Sequence, residues 1–198
     1  MPIITLSREL GSRGDDVAVA VAERLGLRLV GREIINRAAQ SAGAGEVALA
    51  DIDELGLLGV KPSAAAIERY REKITEVIEE QAAQGDVLLV GRGGRVVLRG
   101  RRGVLHVRIA APLEQRIATV SSRCNISPEV AAARIEASDR ARAAFLRRTF
   151  GVRWDDPALF DLVLNMAQLG VQTAADILCA GALAVANQAP VTPQEGCA

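Results

Sequence analysis

The sequence predicts a three-layer α/β fold with a mainly parallel sheet, and two observations support that prediction. Short apolar runs alternate with helical segments along nearly the whole chain. The runs at residues 3–6 and 87–91 are continuous rather than alternating, which is typical of strands buried on both faces. Hydrophobic residues make up 49% of the 198 residues and aromatic residues only 3%, so we expect a core of aliphatic side chains.

The predicted elements follow one another in a regular order. Five segments are predicted as strands: residues 3–6, 27–30, 87–91, 104–110 and 161–165. Six segments are predicted as helices: residues 16–25, 33–41, 63–83, 113–122, 128–148 and 173–186. Gly26 and Gly85 end two of the helices, and Ser127 with Pro128 opens another. We interpret residues 46–62 as a connection and residues 188–198 as a frayed tail.

Two glycine-containing loops, residues 11–14 and 91–94, each follow a predicted strand. The carboxyl ends of parallel strands meet at one edge of the sheet, where ligands of such folds bind. A strand, a turn with glycine and a helix N-terminus together make the kind of site that cradles phosphate. The simpler alternative is a tight strand-to-helix turn that holds no ligand.

Nearly all of the positive charge in the chain is arginine. The only lysines are Lys61 and Lys73, and neither lies in a glycine-containing loop. Arginine offers a planar fork that binds phosphate through two hydrogen bonds. The 24 basic and 24 acidic residues cancel, so no global basic field indicates a nucleic-acid partner.

The cysteines and the hydropathy of the chain indicate the cellular compartment to expect. The three cysteines are far apart and show neither metal-ligand spacing nor a disulfide framework, which fits a reducing compartment. The most apolar late stretch is too short to cross a bilayer. We therefore expect a cytoplasmic protein that contacts no membrane.

Seven motifs occur in a fixed order over roughly residues 3–180: residues 4–12, 22–26, 90–94, 107–117, 139–142, 150–156 and 160–165. Together they resemble the nucleoside monophosphate kinases, and most closely the cytidylate kinase-like family. Each motif alone is weak, but their order and spacing make the match specific. The resemblance implies a P-loop kinase fold with a mainly parallel five-stranded sheet.

The resemblance also implies how the chain is divided. We expect one domain at residues 1–187, followed by the tail. Within it, a helical insertion at about residues 31–85 would bind a nucleoside monophosphate. An arginine-rich lid would lie at about residues 127–155.

The resemblance further implies a role for particular residues. The residues expected at the phosphates of ATP are Arg8, Gly11, Ser12, Arg13, Gly14 and Asp15. Those expected to bind the acceptor nucleotide are Arg37, Arg92, Asp139 and Arg142. Those expected to neutralise charge during transfer are Arg142, Arg147 and Arg148. Asp15 would also hold Mg²⁺, and the expected partners are a small-molecule nucleotide and, in a homo-oligomer, a second copy of the chain.

The chain departs from the family pattern in both loops. Arg13 stands where the family has glycine, and Gly14 occupies the position of the loop lysine. Asp15 occupies the position of the magnesium-binding hydroxyl, where the cytidylate kinase-like family often has arginine. Gly93 replaces the aspartate of a Gly-Arg-Asp motif, and Gly31 replaces an acidic residue that commonly follows the second strand.

Three functions are compatible with these departures. The first is a kinase that moves the γ-phosphoryl group of ATP to a nucleotide such as CMP, with Arg8 or Arg13 replacing the loop lysine. The second is a nucleotide-binding regulatory module with a degenerate phosphate loop, since a phosphate about 4 Å from a carboxylate is repelled by about 4 kcal/mol at an effective dielectric constant of about 20. The third is a scaffold without a nucleotide, in which Asp15 or Asp16 caps the loop and gains about 0.3–1 kcal/mol from the helix dipole.

Overall fold

The structure, a computed structural model, describes residues 2–41, 43 and 63–187, and its sheet confirms the predicted fold class. Its five strands are β1 (Ile3–Arg8), β2 (Arg28–Val30), β3 (Val87–Val90), β4 (Val104–Ala110) and β5 (Leu162–Asn165). They lie in the order β2-β3-β1-β4-β5, and every neighbouring pair is parallel. The central strand β1 pairs Ile3 with Val87 on one side and with Val104 on the other.

Seven α-helices are described: α1 (Gly14–Leu25), α2 (Arg32–Ser41), α3 (Ala64–Ala83), α4 (Gly94–Val97), α5 (Leu113–Cys124), α6 (Pro128–Phe150) and α7 (Val171–Ala186). Six of them correspond to predicted helices. The short helix α4 was not predicted, because a helix of four residues that begins at a glycine is too short to show helical periodicity. The predicted connection at residues 46–62 and the predicted tail at residues 188–198 lie outside the described residues.

The sheet separates two apolar cores, as a three-layer fold requires. On one face, Ile4 and Leu6 of β1 pack with the buried sides of α1 and α7. On the other face, Ile3 of β1 and Leu89 of β3 pack with α2, α3 and α6. Ser63 caps α3 by accepting a hydrogen bond from the Ala66 N–H, so this helix begins where the sequence predicted it.

His106, the only histidine of the chain, lies within β4, and its Nδ1 is 2.7 Å from the Thr5 hydroxyl. Burial lowers the pKa of His106 below its ordinary value of 6.5, while Asp161 opposes that shift and Arg95 reinforces it. Because the unfolded chain binds the proton more readily, His106 contributes stability that is present above pH 6.5 and lost as the pH falls below it.

We therefore expect the urea midpoint of the wild type to fall more between pH 7.5 and pH 5.5 than that of His106→Gln. Both proteins also lose stability through other groups, so the measured quantity is the difference between the two slopes. Equal slopes would show that protonation of His106 does not oppose folding.

Candidate functional site

A cavity opens beyond the carboxyl end of β1, beside the second glycine-containing loop, and its empty space of about 660 Å³ includes the solvent at its mouth. Five of its fifteen lining residues are arginines and none is acidic. The five are Arg8, Arg32, Arg92, Arg95 and Arg142. A partly enclosed cavity with this lining attracts anions, because its charged side chains are all donors of hydrogen bonds and of positive charge.

Two of these arginines approach the cavity from the second loop and from α6. The guanidinium group of Arg92 is buried and lies 5.1 Å from the centre of the Phe145 ring, a cation–π contact. Arg92 has a φ of 54°, a left-handed conformation that is unfavourable for a residue with a side chain. Arg142 lies on α6 with its Nη1 3.8 Å from Asp139. Strained backbone at a cavity wall is typical of functional sites.

The first loop satisfies much of its own backbone. The Ser12 N–H and the Ser12 hydroxyl both donate to the carbonyl oxygen of Glu9, at 3.2 and 2.8 Å. The Gly14 N–H donates to the Ser12 hydroxyl at 3.3 Å. Two of the N–H groups that a phosphate would use in such a loop are therefore engaged within the loop, and an anion has to displace these contacts.

Asp15 and Asp16, at the start of α1, contact arginine side chains. Arg8 Nε donates to Asp15 at 2.9 Å, and Arg13 Nε donates to Asp16 at 3.1 Å. Arg123 also donates to Asp16, and this bond, together with that from Arg13, lowers the pKa of the Asp16 carboxyl against the effect of burial. Arg13 has a φ of 64°, so the positive φ considered from the sequence is present. α1 accordingly begins at Gly14, two residues earlier than predicted.

The side chain of Arg8 occupies the space beside Gly14. A Cβ atom at Gly14 would lie 2.5 Å from the Cβ of Arg8, so a lysine at this position would collide with the Arg8 side chain. Arg8 Nη1 reaches to 3.5 Å from the position of a Cβ at Gly91 in the second loop. The Arg8 side chain thus extends from the first loop toward the second. Of the two arginines considered as replacements for the loop lysine, Arg8 lines the cavity, whereas the half-exposed Arg13 pairs with Asp16.

A network of charged groups lies behind the first loop. Arg116 donates to both carboxylate oxygens of Asp139, at 2.9 and 2.8 Å, and to the carbonyl oxygen of Leu10 at 2.8 Å. Glu9 accepts from Arg108 at 2.9 Å and lies 3.6 Å from Arg116. Burial raises the pKa of the Asp139 carboxyl, although the hydrogen bonds from Arg116 oppose that shift. This network holds the loop against α5 and α6.

Only some of the site residues predicted from the sequence line the cavity. Arg92 and Arg142 line the cavity, as does Arg8. The other residues predicted to bind the acceptor or to neutralise charge lie outside the cavity lining: Arg37, Asp139, Arg147 and Arg148. The other residues predicted at the phosphates of ATP also lie outside that lining: Gly11, Ser12, Arg13, Gly14 and Asp15. Arg37 is exposed on α2, and Arg147 and Arg148 are exposed in the last turn of α6. Their roles stay predictions.

Two arginines of the lining, Arg32 and Arg95, were given no role by the sequence analysis. Arg95 is three residues beyond Arg92 in the unpredicted helix α4, and Arg32 directly follows Gly31 at the start of α2. Their positions beside the carboxyl ends of β3 and β2 were the signal that would have found them. Both strands end at the edge where ligands of a parallel sheet bind.

The replacement of aspartate by Gly93 has a packing reason. Gly93 has a φ of 75°, and a Cβ atom there would lie 2.4 Å from the Phe150 ring. Phe150 in turn makes an edge contact with Phe145, with ring centroids 6.0 Å apart. The ring of Phe150 therefore fills the space that an aspartate side chain would need.

Residues 3–168 match the family model described as the cytidylate kinase-like family. The chain belongs to the cytidylate kinase-like family. It is 26% identical over 179 residues to a cytidylate kinase from Ignicoccus hospitalis, covering 90% of this chain and 97% of that protein. It is 29% identical over 178 residues to a cytidylate kinase from Methanocaldococcus jannaschii, covering 86% and 91% of the two chains.

Solved structures that resemble this family member share its fold. An uncharacterised protein from Eubacterium ventriosum superposes with a TM-score of 0.73 at 18% identity, covering 92% of this chain and 98% of that one. Shikimate kinase from Acinetobacter baumannii, solved in complex with shikimate, superposes with a TM-score of 0.53 at 17% identity, covering 93% and 94%. These likenesses confirm the kinase-type α/β fold predicted from the sequence.

Within residues 2–41, 43 and 63–187, no helix is long and apolar enough to cross a membrane. The same part of the chain contains no group of three or more histidine, cysteine, aspartate or glutamate side chains that could hold a metal ion.

Proposed function

We propose that this protein transfers the γ-phosphoryl group of ATP to a nucleoside monophosphate such as CMP. The observation that supports this function is the cavity beyond the carboxyl end of β1, whose charged lining residues are all arginines. Membership of the cytidylate kinase-like family and the relatives named cytidylate kinase support the choice of acceptor.

In the proposed complex, the acceptor phosphate binds to Arg92 and Arg142. Both line the cavity, and a guanidinium group can hold two phosphate oxygens at once. Phosphoryl transfer of this type needs positioning and charge neutralisation rather than a covalent intermediate. Arg147 and Arg148 lie outside the cavity lining, so their part in neutralisation requires the end of α6 to move toward the nucleotide.

ATP is proposed to place its phosphates at residues 11–14, where Arg8 supplies the cation that the loop lysine supplies in related kinases. The single carboxylate of Asp15 suits Mg²⁺, because that ion is usually held by one or two carboxylates together with substrate phosphates and water. The Asp15 side chain is 65% exposed and therefore accessible to such an ion. Mg²⁺ held there would neutralise charge on the phosphates.

A coupled assay with ATP, Mg²⁺ and a panel of nucleoside monophosphates tests the proposed activity. We expect diphosphate formation from CMP, and a fall in kcat/KM of at least about 100-fold in Arg92→Met because a charged contact to the phosphate is lost. Arg99→Met, which removes an exposed arginine a few residues away, serves as the matched control. If no acceptor in the panel yields a diphosphate, the proposal is wrong.

The contacts within the first loop favour a second candidate, the nucleotide-binding regulatory module. The Ser12 and Gly14 N–H groups are engaged, and Asp15 holds Arg8. In that case the cavity binds a monophosphate, while ATP is kept out of the loop.

Asp15→Ser separates the two candidates. Without Mg²⁺, we expect the variant to bind ATP about tenfold more tightly than the wild type, because Arg8 is released and a nearby negative charge is removed. With Mg²⁺, tighter binding would support the regulatory module, whereas weaker binding would identify Asp15 as a metal ligand. Asp16→Asn is the control, since Asp16 pairs with Arg13 and Arg123 rather than with Arg8.

A further inference from the structure

Arg95 is the most buried of the five arginines in the cavity lining. It lies in helix α4 and is 5% exposed. Its Nη2 donates to the carbonyl oxygen of Arg153 at 3.1 Å, and its guanidinium group lies 4.4 Å from the centre of the Phe160 ring. Its Nη1 is buried and has no hydrogen-bond partner among the described residues. A buried donor without a partner is rare in native proteins and calls for an explanation.

The positive charge of Arg95 also has no ion-pair partner within the described residues. The charged groups that act on it are Arg108, which repels it, and Asp156, which attracts it, and none of the ion pairs in the described part of the chain includes Arg95. Burial and the charge of Arg108 lower the pKa of Arg95 to about 10. Buried charges in proteins are normally paired, because an isolated one is costly. The neighbouring Arg108, by contrast, has Glu9 as a partner.

We propose that Arg95 is an anion-binding residue of the cavity and that its guanidinium group contacts an oxygen of a phosphate monoester. This inference rests on the proposed function in placing a nucleotide phosphate in the cavity. A neutral carbonyl of a base would satisfy the hydrogen bond of Nη1 but not the charge. A phosphate oxygen satisfies both, so the chemistry of the site favours an anion.

Ser7 supports the same ligand. It lines the cavity and its hydroxyl accepts a hydrogen bond from Trp154 Nε1 at 3.2 Å, which leaves the hydroxyl proton to donate. Arg95 and Ser7 thus present donors, and phosphate oxygens are acceptors.

Arg95 does not duplicate Arg92. The two guanidinium groups lie against different aromatic rings, Phe145 of α6 for Arg92 and Phe160 near β5 for Arg95. Each ring holds its arginine in place before a ligand arrives, which reduces the entropy lost on binding. The two arginines therefore contact the ligand from different walls of the cavity.

Calorimetric titration of the full chain with CMP, inorganic phosphate and cytidine tests the inference. We expect Arg95→Met to weaken CMP and phosphate binding at least about tenfold and to change cytidine binding less than about twofold. Arg95→Lys keeps the positive charge but not the planar guanidinium group, so its affinity for CMP and phosphate should lie between those of the wild type and Arg95→Met. Arg99→Met changes the net charge equally at an exposed position and should bind all three compounds as the wild type does.

The melting temperature of the ligand-free protein separates binding from a structural role. Removing a buried charge that has no ion-pair partner should leave the melting temperature of Arg95→Met unchanged or higher. A lower melting temperature, with CMP and cytidine weakened alike, would overturn the inference, as would wild-type affinity for CMP and phosphate in Arg95→Met or no phosphate binding by the wild type. Arg95-dependent CMP binding without kinase activity would instead overturn only the proposed function.

Discussion

Gly11→Ala is expected to lower the free energy of unfolding by about 2–5 kcal/mol. Gly11 has a φ of 83°, where a residue with a Cβ atom is strained by about 1–2 kcal/mol. The new Cβ would also lie 2.6 Å from the carbonyl oxygen and 3.0 Å from the Cα of Arg116. Because these are backbone atoms of α5, the contact cannot be relieved by rotating a side chain. Overpacking of this kind costs about 1–3 kcal/mol more.

Gly100→Ala is the matched control for this prediction. Gly100 has a φ of 76°, but nothing lies within 4 Å of the position of its Cβ. It should therefore show only the backbone cost of about 1–2 kcal/mol. Urea unfolding followed by circular dichroism measures both variants. Equal losses in the two variants would mean that α5 moves away from Gly11 without cost.

The packing around Gly11 offers a second explanation for a glycine in the first loop. Glycine in such a loop is usually explained by the close approach of a phosphate to the backbone. Here the packing of α5 requires glycine whether or not a phosphate binds. The presence of Gly11 therefore supports the fold of the loop, and ATP binding has to be tested separately.

Glu9→Gln is expected to lower the free energy of unfolding by about 3–5 kcal/mol, because it leaves the buried Arg108 without a carboxylate and takes from Arg116 one of its two. Glu9 accepts from Arg108 Nη2 at 2.9 Å and from the Ala111 N–H at 3.1 Å, and it lies 3.6 Å from Arg116. The side chains of Arg108 and Arg116 are only 8% and 7% exposed, so water cannot replace the lost charge. A glutamine retains the shape and one oxygen but not the charge.

Glu136→Gln is the control for this prediction. Glu136 pairs with Arg140 on α6, and their side chains are 69% and 67% exposed, so the loss should be below about 1 kcal/mol. Adding Arg108→Met to Glu9→Gln should recover part of the loss, since the cation that has lost its carboxylate is then removed. A loss below about 1 kcal/mol in Glu9→Gln itself would show that the buried arginines are adequately solvated without the carboxylate.

Parts of the candidate site were predictable from local sequence, and parts were not. Arg92 and Arg142 lie in motifs of the cytidylate kinase-like family, and both line the cavity. Arg95 lies in the four-residue helix α4, whose formation leaves no periodic signal. Asp139 also lies in a family motif, yet its carboxylate contacts Arg116 behind the first loop.

Pairing of charges was the least predictable property. Glu9 and Arg108 are separated by 99 positions, and only the parallel pairing of β1 with β4 brings them together. The left-handed conformation of Arg13 was considered from the sequence but not decided by it. It depends on how the loop packs against α5, and hence on residues far along the chain.

The sequence by itself determined the strands, the parallel sheet and the family. Continuous apolar runs such as that at β3 and the capping serine of α3 act through neighbouring residues, so a linear pattern contains them. Only the tertiary structure decided that Arg8 lies over Gly14, that Ser12 closes the first loop and that Arg95 lines the cavity with its Nη1 unpaired. These contacts join residues on different elements. The energy of a charge or a hydrogen bond depends on which groups surround it in space, and a linear pattern does not contain that information.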